Sequence, residues 1–156
     1  MNSIPRISAQ LDENKIFKII NKNFSKLAPS YYKMLSNWFI RAYGVYGDID
    51  KYIILIYLVN KDFIFFRKNG LIVEFETFFK DKTLEIEKIN ISDISKDLQI
   101  PKESVRRKIE ELEKKGVIKK TKKKIFISMN AFSPYRVNQG IKEVSILLHE
   151  FNKLLK

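Results

Sequence analysis

The sequence contains no cysteine and only one histidine, His149. This excludes disulfides, thiolate zinc sites and cysteine nucleophiles, as well as histidine-rich metal clusters and a Ser-His-Asp triad. The 5 glycines form neither a GxGxxG nor a GxxxxGK[ST] phosphate loop. We interpret four carboxylates as helix-start and surface charges: Asp48, Asp50, Glu74 and Glu76. We therefore expect no enzymatic activity, no metal site and no cofactor.

Long apolar runs are also missing. The N-terminal stretch MNSIPRISAQLDENK lacks the basic start and apolar core of a signal peptide. The most apolar segment, IILIYLV at 53 to 59, ends at Asn60, far short of the roughly 20 residues that span a bilayer. We expect a cytoplasmic protein that uses no membrane anchor.

Positive charge is in large excess. The 156 residues carry 30 Lys and Arg against 18 Asp and Glu, a formal net charge of +12. Such a balance favours an anionic partner, with nucleic acid first and an anionic membrane surface second. Only 6 of the basic residues are arginine, a lysine bias that often reflects an AT-rich genome. The position of the charge therefore says more than its total.

The first 60 residues show helical periodicity. Apolar residues predict an amphipathic helix from Leu11 to Phe24, then a second from Ser30 to Tyr43 that Pro29 introduces and Gly44 ends. A third helix is predicted to begin near Asp48 and to continue to about Val59 as a core element.

The next segment permits two interpretations. FIFFRKNGLIVEF predicts either a hairpin that turns at Asn69 and Gly70 or a long helix that Gly70 caps, and we favour the helix. Residues 71 to 90 have no clear pattern, except that Ile89 and Ile91 alternate with polar residues as in a short strand.

From Ser92 onward the signals for helix starts, turns and helix ends are clear. Ser92 is predicted to cap a short helix, Gln99 and Ile100 to form a tight turn, and Pro101 to open a second helix that Gly116 ends. Ile94 and Leu98 on the first helix should point inward, as should three residues on the second: Val105, Ile109 and Leu112.

Two further elements follow. Val117–Ile118 and Ile125–Ile127 flank KKTKKK and predict a hairpin. A C-terminal helix is predicted from a broad set of apolar residues: Ile141, Val144, Ile146, Leu147, Leu148, Phe151, Leu154 and Leu155.

The order helix, tight turn, helix and basic hairpin resembles the winged helix-turn-helix of bacterial transcriptional regulators. The resemblance covers about residues 89 to 130 and rests on ISDISKDLQIPKESVRRKIEELEKKGVIKK. Ser95 replaces a common alanine, and Pro101 replaces the usual Ser or Thr cap, which removes an oxygen that could meet a phosphate. The expected fold is mainly α with a small β wing, in three regions: an N-terminal helical region at 1–82 for core packing or dimerisation, which could also supply the first helix of the winged domain, the winged module at 83–130, and a C-terminal packing or dimerisation helix at 131–156.

The resemblance implies that the helix after Pro101 enters the major groove of double-stranded DNA. Arg107 is then the first candidate for a bidentate contact to guanine and Arg106 the second, while Glu103 would accept from a cytosine amino group. Phosphate contacts are expected from Lys102, Ser104 and the backbone around Ser92. The wing lysines would hold the DNA backbone or enter a minor groove: Lys119, Lys120, Lys122, Lys123 and Lys124.

The charge is concentrated where this interpretation needs it. Seven lysines and no acid lie between Lys114 and Lys124. The simpler alternative is a solvated helix face on which Glu110, Glu111 and Glu113 pair with Lys114 and Lys115. The same fold could also serve as an adaptor that binds protein, or as a replication or recombination factor.

Features outside the module suggest self-association. Terminal helices around a winged module are similar to the layout of the MarR family and imply a homodimer that reads two half-sites. The aromatic stripe is more consistent with core or subunit interface than with an effector pocket, and no effector is assigned: Tyr31, Tyr32, Trp38, Phe39, Tyr43, Tyr46 and Tyr52. His149 is likewise expected to be a packing or interface residue.

Overall fold

Seven helices and three short strands form the part of the chain that the computed structural model describes, residues 11–155. This confirms the prediction of a mainly helical protein with a small antiparallel sheet. The helices are α1 Glu13–Lys22, α2 Phe24–Tyr46, α3 Ile49–Lys68, α4 Phe75–Phe78, α5 Ile91–Leu98, α6 Lys102–Lys114 and α7 Pro134–Lys153. The strands are β1 Thr83–Glu87, β2 Ile118–Lys120 and β3 Lys124–Ser128, and a 3-10 turn follows at Met129–Ala131.

Backbone contacts divide the described chain into two compact units. One comprises residues 11–37 and 139–155, and the other comprises residues 38–138. The predicted winged module, 83–130, lies wholly in the second unit. Among residues 11–155, no helix combines the length and apolar character needed to cross a bilayer.

The first unit begins with a capped helix. The Asp12 side chain accepts from the N–H of Lys15 at 2.8 Å, and α1 ends at Asn23, close to the predicted limit. The prediction that Pro29 introduces a new helix is wrong, because Pro29 lies inside α2. The backbone N–H groups of Lys26 and Leu27 already bond the Asn23 carbonyl, so α2 is established before the proline removes one donor.

The predicted exit from the second helix at Gly44 is also wrong. Helix α2 continues for two more residues, and Gly47 makes the exit with a φ of +60°. Tyr46 explains the extension, since this buried side chain donates from its hydroxyl to the Ala131 carbonyl at 2.6 Å and so holds the last turn in place.

Helix α3 is the central helix of the second unit. Asp48 caps it by accepting from the N–H groups of Asp50 and Lys51, as the sequence predicted for its start. The favoured long helix is confirmed, and it ends at Gly70, whose φ is +64°. The N–H of Gly70 bonds the Arg67 carbonyl, and the next N–H bonds the Phe66 carbonyl, which is a Schellman cap.

The predicted strand around Ile89 and Ile91 is wrong. Ile91 begins α5, and the strand β1 lies earlier, where Leu84 and Ile86 face inward between exposed Thr83, Glu85 and Glu87. β1 pairs antiparallel with β3, and β3 pairs with β2, so the sheet order is β1-β3-β2. The predicted basic hairpin is therefore confirmed as β2 and β3.

The core of the second unit joins α3, α5, α6 and the sheet. Its fully enclosed side chains are Ile54, Leu55, Leu58, Ile94, Val105, Leu112 and Ile127. Burial of such a side chain contributes roughly 1.5–3 kcal/mol, so this cluster fixes the relative positions of the helix pair and the hairpin.

The aromatic stripe divides in two. Tyr46 is buried and Trp38 packs edge-on against Tyr52 at 5.3 Å, which fits the predicted core role. The other four stripe residues are exposed: Tyr31, Tyr32, Phe39 and Tyr43. His149 is exposed on α7, so the expected packing role does not apply within the described chain.

Candidate nucleic-acid interface

The connection between α5 and α6 is a tight three-residue turn, Gln99 to Pro101. Gln99 adopts the left-handed conformation, with φ 55° and ψ 33°. The Ser95 hydroxyl donates to the Ile100 carbonyl at 2.7 Å, and the Ile100 N–H bonds back to the Ser95 carbonyl. Ser95, which departs from the alanine of the family pattern, thus closes the turn with its own side chain.

The two ends of α6 agree with the sequence prediction, whereas the start of α5 does not. Pro101 stands just before the helix, where its carbonyl accepts from Val105, and Gly116 ends the helix with a φ of +70°. The predicted Ser92 cap is wrong, because Asn90 occupies the cap position of α5 and Ser92 lies exposed within the first turn.

Helix α6 has a buried face and an exposed face. The predicted inward residues Val105, Ile109 and Leu112 are buried, but Lys108 is buried with them at 8% exposure. The exposed face carries the three predicted base-reading residues and several other charges: Lys102, Glu103, Arg106, Arg107, Glu110 and Lys114. Ser104 is half-buried near the start of the helix.

The two adjacent arginines are in different states. The Arg106 guanidinium donates to both carboxylate oxygens of Glu103, at 2.8 and 3.0 Å. Arg107 forms no salt bridge with any residue in 11–155, although its charge acts on Glu111 one turn away. Arg107 therefore presents an open guanidinium to solvent, whereas Arg106 and Glu103 occupy each other.

The wing turns tightly at Thr121 to Lys124. The Thr121 hydroxyl accepts from the Lys124 N–H at 3.0 Å, and the Thr121 N–H bonds the Lys124 carbonyl at 2.9 Å. All five predicted wing lysines are exposed, so the hairpin displays its charge to solvent.

The five wing lysines fall into two groups. Lys120 pairs with Glu113 of α6 at 3.0 Å, and Lys124 pairs with Glu85 of β1. Lys119, Lys122 and Lys123 have no ion-pair partner in the described part of the chain. The paired lysines attach the wing to the module, and the other three are available to an external anion.

The helix-surface alternative needs correction at two glutamates. Glu111 pairs with Lys51 of α3, and Glu113 pairs with Lys120 of the wing, so neither neutralises the lysines at the end of α6. Lys114 and Lys115 are exposed at that end.

A groove of about 500 Å³ runs between the start of α5, the start of α6 and the wing. It contains three lysines, Lys88, Lys102 and Lys120, together with the hydroxyl residues Ser92 and Thr121. No carboxylate is among the described residues that form its wall. The structure thus brings three of the predicted phosphate-binding residues, Ser92, Lys102 and Lys120, to one site.

Lys88 is the residue of this groove that sequence reasoning missed. It follows β1 in the segment that had no clear pattern, and its backbone N–H bonds the Lys123 carbonyl at 3.0 Å. This bond holds Lys88 beside the tip of the wing. Only the pairing of β1 with β3 reveals the position.

A neighbouring groove, which shares Lys88 with the first, has a mixed lining. It has a volume of about 740 Å³ and lies among α3, β1 and α5. Its charged residues are of both signs, four lysines and five acids: Lys61, Asp62, Glu85, Glu87, Lys88, Asp93, Lys96, Asp97 and Lys124. The lining of the groove beside the wing and α6 is therefore free of acids, whereas that of this neighbouring groove is not.

Three ion pairs attach α6 to the start of α3. Lys108 binds Asp48 and lies 3.4 Å from Asp50, while Lys51 binds Glu111. Burial tends to raise the pKa of Asp48, but hydrogen bonds from Lys108 and from backbone N–H groups outweigh it and lower that pKa overall. Burial tends to lower the pKa of Lys108, yet the two aspartates hold it above its ordinary value.

Within residues 11–155, no group of three or more His, Asp or Glu side chains is placed to hold a metal ion.

Comparison with known protein families, curated proteins and solved structures gives no match.

Proposed function

We propose that this protein is a cytoplasmic, sequence-specific transcriptional regulator that binds double-stranded DNA through a winged helix-turn-helix module. Helix α6 lies in the major groove, and the β2–β3 wing contacts the DNA backbone or the minor groove. The order of elements supports this proposal, because α5, the turn at Gln99 and α6 are followed directly by a basic hairpin packed on the same core. A helix pair with a three-residue turn is the arrangement that presents its second helix to DNA.

The observation that carries the proposal is the acid-free groove beside α6. Lys88, Lys102 and Lys120 converge there, while Lys119, Lys122 and Lys123 extend from the adjacent wing. Apart from Lys120, which pairs with Glu113, these lysines have no ion-pair partner among the described residues, so they are suited to neutralise phosphates and to release their counterions. Arg107, on the exposed face of α6, supplies the bidentate donor that reads a guanine edge.

The same surface limits the alternatives. An adaptor that binds protein has little use for a groove with three lysines and no carboxylate, since protein interfaces are depleted in lysine. A replication or recombination factor would use this surface in the same way. The distribution of binding sites along a genome separates that role from promoter control.

We also propose that the protein binds DNA as a homodimer through the unit that contains residues 11–37 and 139–155. Among the described residues of this unit only Leu27 is buried. Helix α7 exposes three apolar residues at the three- and four-residue spacing of a helix-pairing seam, Ile141, Val144 and Leu148, and Leu155 lies just beyond the end of the helix; each is between 44% and 61% exposed.

The charges near this stripe permit self-association. Residues 139–155 contain two lysines and two glutamates, so two copies meet there without net repulsion even though the whole chain carries +12. The occupied side of α7 is different, since Glu143 accepts from the Asn37 side chain at 2.8 Å within the same unit. A two-fold pair of modules would read two half-sites about one helical turn apart.

The test is selection of duplexes from a random pool by the purified protein at two salt concentrations. We expect one enriched sequence with two half-sites, and affinity that falls steeply as salt rises. A salt-dependent affinity with no enriched sequence would favour a non-specific DNA-binding role. Absence of duplex binding, together with capture of a defined protein partner, would favour the adaptor.

A further inference from the structure

The ion pairs between α3 and α6 have opposite polarity at two neighbouring positions. Helix α3 contributes the acid Asp48 and the base Lys51, three residues apart, and α6 contributes the base Lys108 and the acid Glu111 at the same spacing. Both lysines are only 8% exposed. The sequence alone did not indicate a charged partner for either of them. At each of the two positions, a charged side chain from one helix therefore faces a side chain of opposite charge from the other.

These two ion pairs select one register of α6 on α3. The apolar contact around Ile54 and Ile109 is non-directional and by itself tolerates small slips. A slip of one helical turn would bring Lys51 opposite Lys108 and would separate these two lysines from Glu111 and Asp48. Burying charges without their partners costs about 3–5 kcal/mol, more than the correctly paired charges contribute, so these pairs act mainly by excluding the wrong register.

The register has a direct consequence for Arg107. Consecutive residues of an α-helix lie about 100° apart around its axis, so the direction of Arg107 is fixed once its neighbour Lys108 is bound. Lys108 faces Asp48 in the interior while Arg107 is exposed. A rotation of α6 that released Lys108 would turn Arg107 away from its present direction.

We propose that Asp48–Lys108 and Lys51–Glu111 are positioning pairs for base reading by α6. They touch no DNA. They hold the helix at the angle and register in which Arg107 meets one base pair. This inference rests on the proposed DNA-binding function.

The test is a charge-reversal cycle at the more exposed pair. The variants are Lys51→Glu, Glu111→Lys and the double variant, with Ile86→Val as a matched control that loosens the same core without altering a charge. The readout is the ratio of affinities for the selected duplex and for the same duplex changed at the base pair that Arg107 reads. All proteins are first shown to be folded by circular dichroism at the assay temperature.

Each single reversal should reduce this ratio by about tenfold, the value of one lost bidentate contact, and the double variant should recover most of it. The ratio is used because single reversals also change net charge and so shift affinity for every duplex. Ile86→Val should leave the ratio unchanged.

Folded single variants that keep the wild-type ratio would overturn the positioning role while leaving DNA binding intact. So would a folded double variant that fails to recover the ratio. A wild-type protein that shows no base preference at all would overturn this inference and the proposed function together. The outcomes are therefore distinguishable.

Discussion

Lys108 of α6 binds Asp48 at the start of α3, 60 positions earlier in the chain. The contact joins the helix proposed to read DNA to the cap of the central helix. Since the pKa of Asp48 is lowered and that of Lys108 is raised, the pair also makes stability depend on pH.

Asp48→Asn isolates the charge of this pair, because asparagine caps a helix about as well as aspartate. A lowered carboxyl pKa contributes stability above its unfolded value of about 3.9, and that contribution is lost as the pH falls through the folded value. The raised pKa of Lys108 contributes below about pH 10.4 and is lost at higher pH, so it acts unchanged across the acid range.

We expect Asp48→Asn to lower the free energy of unfolding by about 1–2 kcal/mol at pH 7. The loss should be smaller than for a fully buried pair, because Asp48 is partly exposed and Asp50 still lies near Lys108. Urea titrations from pH 7 to pH 2 measure the gap in free energy of unfolding between wild type and variant, which should narrow below about pH 4. A gap that stays constant to pH 2 would show that the carboxylate charge contributes nothing.

Arg107→Ala should relax the preference at one base pair of the selected duplex by about 1–3 kcal/mol. Arg107→Lys keeps the charge but loses the planar fork, so it should restore overall affinity and leave the preference relaxed. Anisotropy titrations with single-base variants of the duplex measure this. Arg106→Ala is the comparison, and its effect should be smaller because Glu103 already occupies that guanidinium. If Arg106 proved the more selective residue, the assignment of roles on α6 would be reversed.

Ser95→Ala should lower the free energy of unfolding by about 1 kcal/mol, because it removes the bond to the Ile100 carbonyl that closes the turn. Ser92→Ala is the control, since Ser92 is exposed and its loss should stay within about 0.5 kcal/mol. Chemical denaturation of both variants measures the difference. Equal stabilities for the two would mean that the Ser95 hydroxyl does not support the turn.

The double variant Ile141→Glu/Leu148→Glu should convert the protein to a monomer, because it places two charges on the exposed stripe of α7. Ile146→Glu is matched to it, since Ile146 is 56% exposed but lies on the opposite side of the helix. Sedimentation velocity over a range of concentrations gives the masses. A wild-type monomer would reject the dimer, and a dimer that Ile146→Glu alone dissociates would move the interface to the other side of α7.

The sequence was most informative where structure depends on local signals. Gly116 and the turn at Gln99 set the helix pair, and the patterns around KKTKKK set the hairpin, because caps and turns need only neighbouring residues. The limits of α2 were missed because a single proline near a helix start is tolerated, and because Tyr46 extends the helix through a bond to Ala131.

Long-range partners were not predictable in the same way. β1 shows only two inward residues, Leu84 and Ile86, and its strand character comes from pairing with β3. Lys108 lies in a run of charges, and only packing against Asp48 shows that it is buried. Lys88 joined the candidate site for the same reason, since a distant strand places it beside the wing.

The central claim is that DNA phosphates bind in the acid-free groove and along the wing. The most direct measurement is the slope of log affinity against log salt for one duplex, for wild type, Lys88→Gln/Lys102→Gln and Lys122→Gln/Lys123→Gln. The control is Lys15→Gln/Lys18→Gln, two exposed lysines of α1. We predict that the groove variant and the wing variant each lose about 0.9 of slope per phosphate contact, while the control keeps the wild-type slope. Equal slopes for all four proteins would contradict the account.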